Sequence, residues 1–200
     1  MLGKPKHSWG VTELAAAAEM SAGQAQNLMK TLEAQDLVYT EGRGPSRKRH
    51  IREPGRFLDW LALQKPGREP RAKLSCALYA RTPNDLWDAM ERKLRGTAHA
   101  FTGAAAASIL GAGGTAVPRT IVRVASKSPL RAIAREIGAE VSERGANVML
   151  WSDAGQLGTT EPLVHKGRTL APRVRVYLDL HSELRGADLA SEFRERVLGF

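Results

Sequence analysis

Cysteine and long apolar runs are what this sequence of 200 residues most nearly lacks. Cys76 is the only cysteine, so no intramolecular disulfide can form, and a reducing, cytoplasmic setting is the expectation. The opening ten residues, MLGKPKHSWG, contain no apolar stretch of the kind a secretory signal needs. The longest uncharged run, FTGAAAASILGAGGTAV, is mostly alanine, glycine and threonine and makes a poor membrane helix. What remains, 42% hydrophobic and 26% charged, is the composition of a globular chain and not of a disordered one.

Catalytic patterns are equally scarce. No G-x-x-x-x-G-K-[ST] loop is present to cradle phosphates. A G-x-G-x-x-A run at 111–116 nearly matches a dinucleotide fingerprint, but an alanine-rich, helix-like segment precedes it where a strand is required. Its glycines read as the end of that helix. The five histidines, at 7, 50, 99, 165 and 181, fall at no metal-ligand spacing. Cys76 has no neighbouring base, and Asp179, amid apolar residues in YLDL, reads as a capping or salt-bridge group. No enzyme activity, cofactor or metal is expected.

What the chain does have is positive charge. The net charge is +9 with a pI near 10.1, which favours an anionic partner, most often nucleic acid. Residues 1–73 hold 13 Lys/Arg against 8 Asp/Glu and the longer remainder 17 against 13, so the excess is denser at the N-terminal end. There, WGVTELAAAAEM predicts a helix opened by Thr12, with Leu14, Ala15 and Ala18 inward. SAGQAQNLMKTLEAQD predicts a second, begun by a Ser21–Gln24 capping box, with Ala25, Leu28, Met29 and Leu32 as its apolar stripe. Its opposite face carries Gly23, Gln26, Asn27 and Lys30, bordered by Gln24 and Thr31. Amides pair with adenine edges in the major groove, and lysine reaches guanine or phosphate. Next, Leu37–Thr40 and His50–Arg52 have strand character around a turn that holds Arg43, Arg47, Lys48 and Arg49. Helix, turn, polar-faced helix and basic-tipped hairpin, in that order, predict a winged helix-turn-helix over 1–63. The candidate DNA-binding residues are Ser21, Gln24, Gln26, Asn27, Lys30, Thr31, Arg43, Arg47, Lys48, Arg49 and Arg52. A complete domain of this type has one more helix, for which Pro5–Ser8 or a helix at Gly55–Leu63 are the candidates.

Residues 64–76 read as a linker, and 77–200 as a second domain. TPNDLWDAMERKLRG predicts a helix with Thr82 as N-cap, Pro83 at its first position and Leu86, Met90 and Leu94 buried. AFTGAAAASILG predicts a small-residue helix capped by Thr102, and SPLRAIAREIG another, capped by Ser128. PRTIVRVAS and ANVMLWS read as strands, LVHKGRTLA as a hairpin, and APRVRVYLDLHSEL and GADLASEFRERVL as two final helices. The class is α+β, with a small sheet covered by helices.

The order TPNDLWDAM, AFTGAAAASILGAG, ANVMLWS and VRVYLDLHSELRGADLASEFRERVL behind a winged helix resembles the AbiEi family of antitoxins of type IV toxin–antitoxin systems. The resemblance implies an N-terminal domain that binds inverted repeats in its own promoter as a repressor. It also implies a C-terminal domain of nucleotidyltransferase-like topology that provides antitoxin activity. Carried over by resemblance are Gln24, Gln26, Asn27 and Lys30 on the recognition helix and Arg47, Lys48 and Arg49 on the wing. An active nucleotidyltransferase needs paired carboxylates after its Gly-Gly turn. Here Gly113-Gly114 leads to Pro118-Arg119-Thr120-Ile121-Val122-Arg123, and arginine cannot ligate Mg²⁺. The expected partners are double-stranded DNA, a second copy of the chain on DNA, and a cognate nucleotidyltransferase-like toxin, with no membrane. The alternatives are a ligand-sensing winged-helix regulator whose second domain binds a small molecule, and an interaction protein that neutralises a toxin.

Overall fold

A computed structural model describes residues 1–64, 70, 72–113, 119–125, 129–153, 158–183 and 186–200. Ser128, Pro118, residues 114–116 of the glycine motif, and 65–69 and 71 of the predicted linker lie outside the described residues. The chain is a mixed α and β protein in two units, Met1–Gln64 with Phe200, and Lys65–Gly199. Among the described residues no helix is long and apolar enough to cross a membrane.

In the first unit, helix α1 spans Val11–Ala17 and begins one residue earlier than expected from Thr12. Gly10 is its N-cap, and the Glu13 carboxylate closes the end by accepting the Gly10 N–H at 3.2 Å. Helix α2, Ala22–Ala34, starts with the predicted box. Ser21 Oγ accepts the Gln24 N–H at 3.2 Å, and Gln24 Oε1 accepts the Ser21 N–H at 2.9 Å. Ala25 and Met29 of α2 pack with Leu14, Ala15 and Trp9 into one core, and Leu28 lies partly buried against it. Ala18, read as inward, instead caps the C-terminus of α1 and is exposed. Strands β1 (Val38–Glu41) and β2 (Lys48–Ile51) pair antiparallel, from Val38 opposite Ile51 to Glu41 opposite Lys48. Helix α3, Pro54–Leu63, buries Phe57 and Leu58 and half-buries Trp60 and Leu61. Residues before Trp9 form successive turns rather than a helix, with Lys4 N–H donating to Met1 O and His7 N–H to Lys4 O.

The second unit is built on a larger sheet than the sequence suggested. Its strands are β3 (Lys73–Ala77), β4 (His99–Thr102), β5 (Thr120–Val124), β6 (Glu140–Val141), β7 (Val148–Ser152), β8 (Leu163–His165) and β9 (Arg168–Leu170). They lie in the order β6-β3-β7-β5-β4-β9-β8, with β5 parallel to β7, β4 parallel to β9 and the other pairs antiparallel. Two strands correct the sequence reading. Residues 73–76, assigned to the linker, belong to β3, whose Cys76 is fully buried between β6 and β7. Residues 99–102 form β4 before the alanine-rich helix α5 (Gly103–Ile109) begins.

The alternation of β5 places its side chains on opposite faces. On one face Thr120 Oγ1 accepts the indole N–H of Trp87 at 2.9 Å, which docks helix α4 (Pro83–Lys93) beside α6 (Leu130–Ile137). Helix α4 carries the predicted cap, with Thr82 Oγ1 accepting the Asp85 N–H at 3.1 Å. On the other face Arg123 meets helix α7 (Arg173–Leu180), which packs with α5 and α8 (Gly186–Phe193). Arg123 Nε and Nη2 donate to the two Asp179 oxygens at 2.7 and 2.8 Å, and its Nη1 donates to Asp153 Oδ1 at 2.8 Å. Arg175 Nη2 donates to Asp179 Oδ1 at 2.7 Å, and the Thr102 hydroxyl donates to Oδ2 at 2.6 Å. Thr102, read as a helix cap, therefore spends its hydroxyl on Asp179, and Asp179 is the salt-bridge group expected of it. All five residues are buried, and removing one partner from such a set strands a charge away from water.

Glu183 lies one helical turn beyond Asp179 and accepts the Ala104 N–H at 2.8 Å. Burial, helped by the Asp179 charge and opposed by the Ala104 N–H, raises its carboxyl to about 7. A carboxyl raised in the folded state binds a proton that the unfolded chain has already lost, so stability falls as pH rises from about 4.5 to about 7. Glu183→Gln keeps the acceptor for Ala104 and removes the ionisation. Urea unfolding across this window should show the slope lost in the variant, and the variant more stable above pH 7 by on the order of 2–3 kcal/mol. An unchanged slope contradicts the assignment.

Candidate nucleic-acid interface

Helix α2 buries one stripe and leaves the opposite face outward, as its spacing requires. Gln24, Asn27, Lys30 and Thr31 are exposed, and Gln26 is half-buried. Ser21 is also exposed, but Ser21 and Gln24 are engaged with each other in the capping box, and the Thr31 hydroxyl donates to Asn27 O at 3.0 Å. The side chains of α2 with polar groups uncommitted among the described residues are Gln26, Asn27 and Lys30.

The β1–β2 turn is closed by its own short residues. Gly44–Ser46 form a single 3₁₀ turn, Ser46 Oγ donates to Arg43 O at 2.8 Å, and Gly42 takes a φ of +82° that excludes most side chains. Arg43 and Arg47 project from this turn, exposed and without an ion pair among the described residues. Lys48 is exposed too, but its ammonium donates to Glu13 Oε2 at 3.2 Å. Arg52 is paired with Asp36 at 3.2 Å and lies over the Tyr39 ring at 5.6 Å. Tyr39 in turn stacks on His50, with ring centroids 5.0 Å apart.

Arg49 corrects the sequence reading. It is 2% exposed, and its Nε donates to Glu33 Oε1 of α2 at 2.9 Å. The reason is the two-residue period of β2, which turns Arg49 and Ile51 inward where Lys48 and His50 turn out. Glu33 also accepts the hydroxyl of Thr40, the residue opposite Arg49 in β1, and these two partners hold its carboxyl below the ordinary value. The backbone of Arg49 is fastened as well. Its N–H donates to Trp9 O and its carbonyl accepts the Trp9 N–H, both at 2.8 Å. Arg49 is thus a strut that ties the ribbon to α2 and to the strand residue before α1.

One consequence is a cleft of about 580 Å³ whose walls are the start of α1, Gln26 of α2, and Arg47 and Lys48 of the ribbon. The predicted Gln26, Arg47 and Lys48 therefore come together, whereas Arg52 belongs to the Asp36–Tyr39 cluster at the ribbon's base. Sequence reasoning passed over Glu13, Glu33 and Trp9, which organise this cleft. The one available signal was Glu33, the sole acid within α2.

No known family model matches the chain, and neither a curated protein nor a solved structure matches it.

Because Arg49 is buried against a partly exposed partner, Arg49→Met should destabilise the first unit by about 2–3 kcal/mol. Tryptophan-monitored urea unfolding measures this. A loss below about 0.5 kcal/mol, the range of an ordinary surface change, contradicts the strut.

Proposed function

We propose that the chain is a sequence-specific DNA-binding transcriptional repressor, with α1 and α2 as a helix-turn-helix and the β1–β2 ribbon as its wing. The observation that carries this reading is the cleft in which Gln26 of α2 and Arg47 and Lys48 of the ribbon face common solvent. An amide-bearing helix face beside a cationic ribbon suits a duplex, with the helix reading base edges in the major groove and the ribbon neutralising phosphates. Within α2 the base-reading role falls to Gln26, Asn27 and Lys30, since Ser21 and Gln24 hold each other. On the ribbon, Arg43 and Arg47 are the phosphate contacts, and Arg49 positions them. Such modules gain affinity by pairing on a near-palindrome, so two copies are expected on one site.

The second unit supports a non-catalytic role. Its buried acids Asp153 and Asp179 are both taken by Arg123, and Asp153 Oδ2 also accepts the N–H groups of Gly158 and Thr159 at 2.8 and 2.9 Å. Carboxylates committed to an arginine and to loop amides brace the fold; they do not serve as free ligands or bases. The assignment to an AbiEi-type antitoxin, with a partner toxin for this unit, rests on the resemblance of FTGAAAASILG and YLDL…RGADLASEFRERVL.

Mobility shifts on the promoter of the chain's own operon test the reading. Arg43→Ala with Arg47→Ala should weaken binding to all duplexes and make the salt dependence shallower by roughly one to two. Asn27→Ala should cost about 1–3 kcal/mol at the cognate site and relax base preference. Binding unchanged by the double variant overturns it.

A further inference from the structure

The cleft between α1 and the ribbon already holds an anion of the protein's own. Glu13 Oε2 accepts the Lys48 ammonium and the Gly10 N–H, each at 3.2 Å, and Glu13 Oε1 accepts His7 Nε2 at 2.5 Å. Three donors from three separate places converge on one carboxylate. The bond from His7 is the foremost cause, followed by those from Gly10 and Lys48, of a carboxyl drawn down to about 2. Lys48 is 47% and Glu13 37% exposed, so the pair stands at the mouth of the cleft where an incoming strand meets it.

We propose that Glu13 is a built-in competitor for the DNA backbone, pairing with the charged Lys48 in the cleft until a phosphate displaces it. The inference rests on the DNA-binding reading above and assigns that site an autoinhibitory residue. Its physics is an exchange of partners. If Lys48 stays with Glu13 in the complex, it neutralises no phosphate and releases no counterion. If Lys48 moves to a phosphate, the freed Glu13 carboxylate takes up a counterion and repels the backbone. By either route the net ion release is lower by one than the cations of the ribbon suggest. Arg47, which has no ion pair among the described residues, carries no such penalty.

Fluorescence anisotropy of the full chain on a mixed-sequence duplex of about 30 base pairs, between about 50 and 200 mM salt, provides the test. Glu13→Gln retains an acceptor for the Gly10 N–H, and its thermal midpoint is checked alongside. It should bind about 3- to 10-fold tighter, with a salt slope steeper by about 0.9, the value for one more neutralised phosphate. Adding Lys48→Met should erase both gains. Lys48→Met alone gives an independent reading, because removing an already neutralised cation should shift the slope by less than about 0.3, against about 0.9 for a working phosphate contact. Unchanged or weaker binding by Glu13→Gln, a gain that survives loss of Lys48, or a full slope loss in the single Lys48 variant each overturns the proposal. A wild-type chain that fails to bind duplex at the lowest salt removes the DNA-binding reading, and this inference with it. A wild type that binds, with a silent Glu13→Gln, removes only the inference.

Discussion

Arg49 reaches beneath its own ribbon to Glu33 of α2, and the arrangement of the first unit depends on that contact. A two-stranded ribbon alone is marginal in water. This one is fixed from three sides: by the Arg49–Glu33 pair, by Thr40 on the same carboxylate, and by the two backbone hydrogen bonds between Arg49 and Trp9. Trp9 is also part of the core formed by α1 and α2. Ribbon, helix and core are therefore linked through one residue, and the direction in which Arg43 and Arg47 point follows from it. Because Glu33 is partly exposed, the pair escapes the full desolvation cost of a deeply buried one.

The second unit uses an arginine in the same sense but in a drier setting. Arg123 joins β5 to α7 and to the residue after β7 through Asp179 and Asp153, with Arg175 and Thr102 completing the set. Among the described residues this brings two arginines against two aspartates. Burial holds the neighbouring Glu183 carboxyl well above the usual carboxylate range, with the Ala104 N–H and the Arg119 charge opposing it. In both units, then, some of the charged residues hold secondary structures together.

How much of this was legible depends on whether a residue's role is set by its neighbours in sequence or in space. The Ser21–Gln24 box, the Thr82 cap with Pro83, the apolar stripe of α2 and the Lys166-Gly167 hairpin all depend on short spacings, and all stand where the spacing put them. The inward turn of Arg49 depends on the alternation of β2, which the Arg47-Lys48-Arg49 run of three cations conceals. Strand β3 was hidden because KLSCA has little apolar pattern of its own and owes its burial to the strands on either side. β4 was hidden because His99–Thr102 runs directly into an alanine-rich helix. Glu13 drew no sequence reading, because the Lys48 that it pairs with lies 35 residues away.

Amide hydrogen exchange on the full chain, with and without saturating duplex, tests the central claim most directly. The account predicts added protection over α2 from Gln26 to Lys30 and over the ribbon turn from Arg43 to Lys48, with both regions responding at the same DNA concentration. Protection confined to the second unit, or seen on the ribbon but never on α2, would contradict it.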